Sequence, residues 1–112
     1  MADTETVVSG VAGRYASALF DLARETGKIE PVRADLGRFS ALVDASADLQ
    51  RLVKSPVFTA EEQMKALGAI LDKVGVSGIA GNFLRFVASK RRLFAAQDMV
   101  KAYGVLADQA AG

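Results

Sequence analysis

Apolar residues crowd positions 11–23, VAGRYASALFDLA, more densely than one surface helix needs. At about 100° per residue, Val11, Ala12, Tyr15, Ala16, Ala18, Leu19, Phe20, Leu22 and Ala23 fill an unbroken arc of roughly 200°. Arg14, Ser17, Asp21, Arg24 and Glu25 share the remainder with Gly13. A helix seated on a core needs a stripe only somewhat wider than ~100°. Positions 79–87, IAGNFLRFV, show the same excess. There Ile79, Ala80, Phe83, Leu84, Phe86, Val87 and Ala88 again cover roughly 200°. Two readings of this surplus stay open. Each helix is central and enclosed by its own fold, or each lays one flank on the core and offers the other to a partner.

The rest of the pattern predicts an all-α chain, a compact six-helix bundle. Positions 1–9 read as a flexible tail. The first helix spans about 10–26 and stops at Gly27, a residue suited to the left-handed position after a helix. Pro31 fits the first turn of the second helix, where its missing N–H costs nothing. That helix buries Val32, Leu36, Phe39, Leu42 and Val43 on a stripe of ordinary width and ends near Ala45. Ser46 is expected to cap a short third helix carrying Leu49, Leu52 and Val53. Pro56 enforces a break after it, because the residue before a proline disfavours helix. Thr59-Ala60-Glu61-Glu62 is a capping box, the clearest helix start in the chain. The fourth helix then runs to about Lys73 with Met64, Leu67, Ile70 and Leu71 inward. Gly75, Ser77 and Gly78 make the next turn, with Ser77 as the expected cap.

No Gly or Pro separates the fifth helix (about 78–89) from the sixth (to about Gln109). The break comes from phase. Leu93, Ala96, Met99, Val100, Tyr103 and Leu106 form a stripe that, on one straight helix, lies roughly 170° round from the fifth helix's stripe. A turn near 89–92 is required. No strand-like alternation of useful length, internal repeat or low-complexity segment occurs.

Composition narrows the function. A chain of 112 residues with 51% hydrophobic content suits one folded domain, positions 10–112, and argues against wholesale disorder. The net charge is +1, from 14 basic and 13 acidic residues, and gives no strong pull toward nucleic acid or an anionic membrane. With no Cys and no His, disulfides, thiol nucleophiles, His-based triads and Cys/His zinc sites are excluded. No run approaches the ~20 apolar residues of a membrane span. The acidic, polar start Met1-Ala2-Asp3-Thr4-Glu5-Thr6 lacks the pattern of a signal or transit peptide. The protein is expected in the cytosol, or at a membrane only through partners.

Candidate chemistry is sparse. Glu61-Glu62 is explained by a helix N-terminus. Gly10 and Gly13 lack the strand and the Gly-Lys-Ser/Thr sequence of a phosphate loop; Gly78 and Gly81 lack them too and are expected to permit close helix approach. Lys90-Arg91-Arg92 is the one basic cluster. It reads as cations complementing a helix C-terminus, as a contact to an acidic partner, or as a nucleic-acid patch. No cofactor and no metal is expected.

The residues at 11–23, with Tyr15-Ala16-Ser17-Ala18-Leu19-Phe20 at their centre, resemble the opening helix of the delta subunit of F-type ATP synthases, called OSCP in mitochondria. Asn82-Phe83-Leu84-Arg85-Phe86-Val87 followed by Arg92-Leu93 is similar to that family's fifth helix and the turn after it. Tyr103-Gly104-Val105-Leu106-Ala107-Asp108 is similar to its sixth. The order and spacing of the three cover nearly the whole chain. The resemblance implies a non-catalytic stator component of a proton-translocating ATP synthase. Its six-helix N-terminal domain binds the N-terminal helix of an alpha subunit in a groove between the first and fifth helices. By position, Tyr15, Ala18, Leu19 and Leu22 line one wall, Phe83 and Phe86 the other, with Asn82 and Arg85 at the rim.

Family members carry a further C-terminal domain that contacts the peripheral stalk, and the sequence stops at Gly112 without it. The expectation is a piece of a longer chain or a reduced relative, with binding to the stalk b subunits absent or weak. The implied location is the cytoplasmic side of a bacterial inner membrane, peripheral and through the complex, with no direct insertion and no nucleic acid. Three rivals remain. They are a helical RNA-binding factor using Lys90, Arg91 and Arg92, a small enzyme with an apolar pocket, and a homodimer that buries the surplus faces on itself.

Overall fold

The structure, a computed structural model, describes residues 10–112. Residues 1–9, read above as a tail, lie outside the described residues. Six α-helices and no strand are found among the described residues. They are α1 (Gly10–Glu25), α2 (Ile29–Asp44), α3 (Ala47–Lys54), α4 (Ala60–Val74), α5 (Gly78–Ser89) and α6 (Ala96–Ala111), with a 3₁₀ turn at Leu93–Ala95 before α6.

Helix ends follow the local chemistry. At the α1 terminus Gly27 has φ +68°, Lys28 N–H donates to Ala23 O at 2.7 Å and Gly27 N–H to Arg24 O at 3.2 Å. These paired bonds form a Schellman motif, which satisfies carbonyls the helix leaves open. The same device closes α4. Gly75 has φ +72°, and Val76 and Gly75 donate to Leu71 O and Asp72 O at 2.9 and 3.4 Å. Ser46 caps α3 by accepting from Leu49 N–H at 3.2 Å. Ser55, before Pro56, takes the extended conformation that ends α3. The capping box at α4 is complete. Thr59 Oγ1 accepts from Glu62 N–H at 3.0 Å, and Glu62 Oε1 accepts from Thr59 N–H at 2.8 Å. Ser77 holds the cap position of α5, but its hydroxyl makes no cap hydrogen bond.

The break before α6 is a third Schellman motif. Arg92 N–H donates to Val87 O at 3.1 Å and Arg91 N–H to Ala88 O at 2.9 Å. The left-handed position falls on Arg91 (φ +58°), the one non-glycine residue with positive φ among the described residues.

The described chain divides into two compact units, one of residues up to 34 with 95–112, the other of residues 35–94. In the first, α1 packs along α6. Phe20 meets Tyr103 edge-on at 5.9 Å, and Ala16, Ala23, Met99, Ala102 and Tyr103 are essentially sealed from water. The alanines among them, Ala16, Ala23 and Ala102, let the two helices come close. The Tyr103 hydroxyl donates to Ile29 O at 2.7 Å, and the Arg33 guanidinium donates to Gly104 O and pairs with Asp108. In the second unit α4 packs on α5, around Leu67, Leu71, Leu84 and Val87. Each such buried side chain contributes about 1.5–3 kcal/mol by leaving water. Gly81 lets the turn after α4 lie close against α5, since a Cβ there would stand 3.3 Å from Val76 O. Gly78 has a different role from close approach. Nothing lies within 4 Å of a Cβ built on it, and its φ is +59°.

Candidate partner-binding surface

α1 sorts its wide apolar arc by depth. Leu19 and Phe20 are 4% and 7% exposed and belong to the interior, whereas Leu22 is 46% exposed. Ala18 is exposed and Tyr15 half-buried. The outward part of the arc is therefore Tyr15, Ala18 and Leu22, three residues on successive turns of one face. Arg24 lies over the Phe20 ring at 5.6 Å and pairs with Asp21 at 3.3 Å, so charge borders this face near Leu22.

α5 shows the same division. Leu84, Val87 and Ala88 are buried, Phe83 is half-buried, and Phe86 is 51% exposed. Asn82 is exposed, as a rim residue should be. Arg85 is half-buried. Its guanidinium lies against the small residues of α4 and α5, 3.9 and 3.7 Å from where Cβ atoms on Gly68 and Gly81 would stand. Lys90 holds its ammonium over the Phe86 ring, 5.5 Å from the centroid. Periodicity did not assign Lys90 to this face. Its spacing of four from Phe86 was the available signal.

The basic cluster divides in the same way. Arg91 donates from Nη1 to Gln63 Oε1 at 2.9 Å and from Nη2 to Phe58 O at 2.7 Å. Gln63, 5% exposed, passes the connection on through Nε2 to Leu52 O at 3.1 Å. Arg91 thus ties α5's end to α4 and to the chain on either side of Pro56. Two further large apolar side chains are exposed, Val57 and Phe94, which the helical pattern did not single out.

No group of three or more His, Cys, Asp or Glu gathers among the described residues, and no helix is long and apolar enough to cross a membrane. A cleft of about 290 Å³ in the second unit is lined by Val53, Pro56, Gln63, Arg91 and Phe94 among others, with no carboxylate. The six helices, with exposed apolar side chains on α1 and α5, define an all-α protein.

A family model described as ATP synthase delta (OSCP) subunit matches residues 11–112. The chain is 63% identical over 102 residues to the ATP synthase subunit delta of Xanthobacter autotrophicus, covering 91% of this chain and 51% of that relative. It is 54% identical over 112 residues to that of Chelativorans sp., covering 100% and 60%. It is 60% identical over 102 residues to that of Azorhizobium caulinodans, covering 91% and 55%. The chain belongs to the ATP synthase delta (OSCP) subunit family, a family of non-catalytic structural subunits. It spans 51–60% of the length of these relatives.

Proposed function

We propose that this chain is the N-terminal helical part of a delta subunit in the stator of an F-type ATP synthase. It binds the N-terminal helix of an alpha subunit through the exposed apolar side chains of α1 and α5. The b subunits of the peripheral stalk are reached through the C-terminal portion that the relatives carry. The assembly holds it at the cytoplasmic side of a bacterial inner membrane. Its work is to keep the catalytic head from turning with the shaft, and no residue here performs chemistry.

The observation that carries the reading is the exposure of Leu22 at 46% and Phe86 at 51%, each on the helix whose apolar arc exceeds what its own core requires. The relatives' identity as ATP synthase delta subunits supplies the context. An amphipathic helix presents apolar side chains at i, i+3, i+4 and i+7 and loses little on docking to preformed apolar faces. Leu22 and Phe86 supply anchors, Tyr15 and Phe83 flank them, and Ala18 leaves room for the partner's backbone. Leu19 backs this face from within the core.

Calorimetric titration with a peptide copying the cognate alpha subunit's N-terminal helix tests the reading. The expected result is one-to-one binding with a negative heat-capacity change from apolar burial. Phe86→Asp is expected to weaken it by roughly 2 kcal/mol or more, about thirty-fold. A folded monomer that ignores the peptide at high micromolar concentration would refute it.

A further inference from the structure

We propose that the helix received on α5 must carry a carboxylate for Lys90, placed within about one turn of the side chain that covers Phe86. The inference rests on the function proposed above and deepens it by stating the charge the partner has to bring.

From Gly78 to Arg92 the sequence holds four cations, Arg85, Lys90, Arg91 and Arg92, and no Asp or Glu. The structure distributes them unequally. The Arg85 guanidinium is laid against Gly68 and Gly81, and Arg91 reaches Gln63 and Phe58 O. Lys90 sits on the exposed ring of Phe86, and no ion pair among the described residues involves it.

An apolar side chain that covers Phe86 also takes water away from the ammonium beside it. Removing an ammonium from water without a counter-charge is costly, and the ring face returns only part of the loss. Lys90 follows Phe86 by four residues and folds its ammonium back over the ring, so the point to be neutralised lies 5.5 Å from the centre of the anchor's ring. A helix packed there meets that point with a side chain about one turn from its own anchor. A partner with apolar residues alone, or with a cation at that place, is disfavoured, so Lys90 sets specificity.

The test is a cycle of titrations with the alpha-subunit N-terminal peptide and a version with every Asp and Glu replaced by Asn and Gln, against the wild-type chain, Lys90→Gln and Lys90→Arg. Lys90→Gln is expected to bind the native peptide about five-fold more weakly, with the neutral peptide losing about as much on the wild type. The double change should lose no more than either single one, and Lys90→Arg should retain binding. Raising the salt concentration should weaken the wild-type complex and leave the Lys90→Gln complex nearly unaffected. Losses that add, or no loss on neutralising the peptide, would overturn the pairing and leave the helix-binding reading standing. Failure of both peptides to bind the wild-type chain would overturn that reading and the inference with it.

Discussion

Arg91 and Tyr103 show how single residues secure each unit. Arg91 takes a left-handed conformation that costs an L-residue roughly 1–2 kcal/mol, and its guanidinium gives back two bonds, to Gln63 Oε1 and Phe58 O. Arg91→Ala keeps the backbone strain and loses both bonds, so urea unfolding should show a loss of about 2 kcal/mol. Arg91→Gly loses the same bonds but relieves the strain, so it should fall about 1 kcal/mol short of that loss. If Arg91→Gly matches the wild type, the bonds do no more than offset the strain and the pin is not structural. Tyr103, 1% exposed, donates to Ile29 O. Burial pushes its phenol up from 10.0 to about 12, with Glu30 adding to the shift and Arg33 opposing it. Below pH 10 both folded and unfolded chains hold the proton. Between about 10 and 12 the unfolded chain has released a proton that the folded chain keeps, so stability falls as pH rises. Tyr103→Phe should cost about 1 kcal/mol at neutral pH and lack this slope, so its deficit should shrink across the interval. A deficit constant with pH would show that the folded phenol loses its proton together with the unfolded one and is not held up by burial.

At the scale of elements, the legible parts were those where the local chemistry has one solution. Gly27, Gly75, Pro56 and the Thr59–Glu62 box each mark a boundary without help from tertiary structure, and the helices begin and end within about two residues of those marks. Thr59→Ala should lower stability by about 1 kcal/mol, because it leaves the Glu62 N–H without its partner; an unchanged urea midpoint would mean that water replaces the cap fully. The break after α5 was legible only as a conflict of phase, since Arg91 carries no turn signature; its conformation is held by residues some thirty positions away. Ser77 failed as a side-chain cap because α5 starts on Gly78 at positive φ, which sequence position alone does not reveal. The proposed binding residues were legible as arcs and illegible in depth. Leu19 and Leu22 share one arc, yet one is buried and the other half in water, because burial depends on the neighbouring helices and not on the wheel. Arg85, placed at the rim by position, is drawn toward Gly68 by the absence of side chains on α4 and α5 there, and Lys90 takes the place over Phe86.

For the molecule as a whole, the two units divide the proposed anchors between them. Leu22 belongs to the unit built from both ends of the described chain, and Phe86 to the unit built from its middle. A partner that binds only the folded chain raises its stability by mass action, by about 2.7 kcal/mol at a hundred-fold excess over Kd, which for a chain of this size is on the order of 10 °C in Tm. The alpha-subunit peptide should therefore raise Tm by that amount in the wild-type chain. Leu22→Asp and Phe86→Asp replace side chains already half in water, so each variant alone should melt within a few degrees of the wild type. If the partner helix uses both units, each substitution by itself should remove most of the peptide's effect, because an apolar anchor facing a buried carboxylate loses its contact and gains a desolvation penalty. An effect lost in Phe86→Asp but kept in Leu22→Asp would confine the partner to α5 and free the α1 face for another role. An effect kept in both would mean that the exposed apolar residues are not what the partner grips.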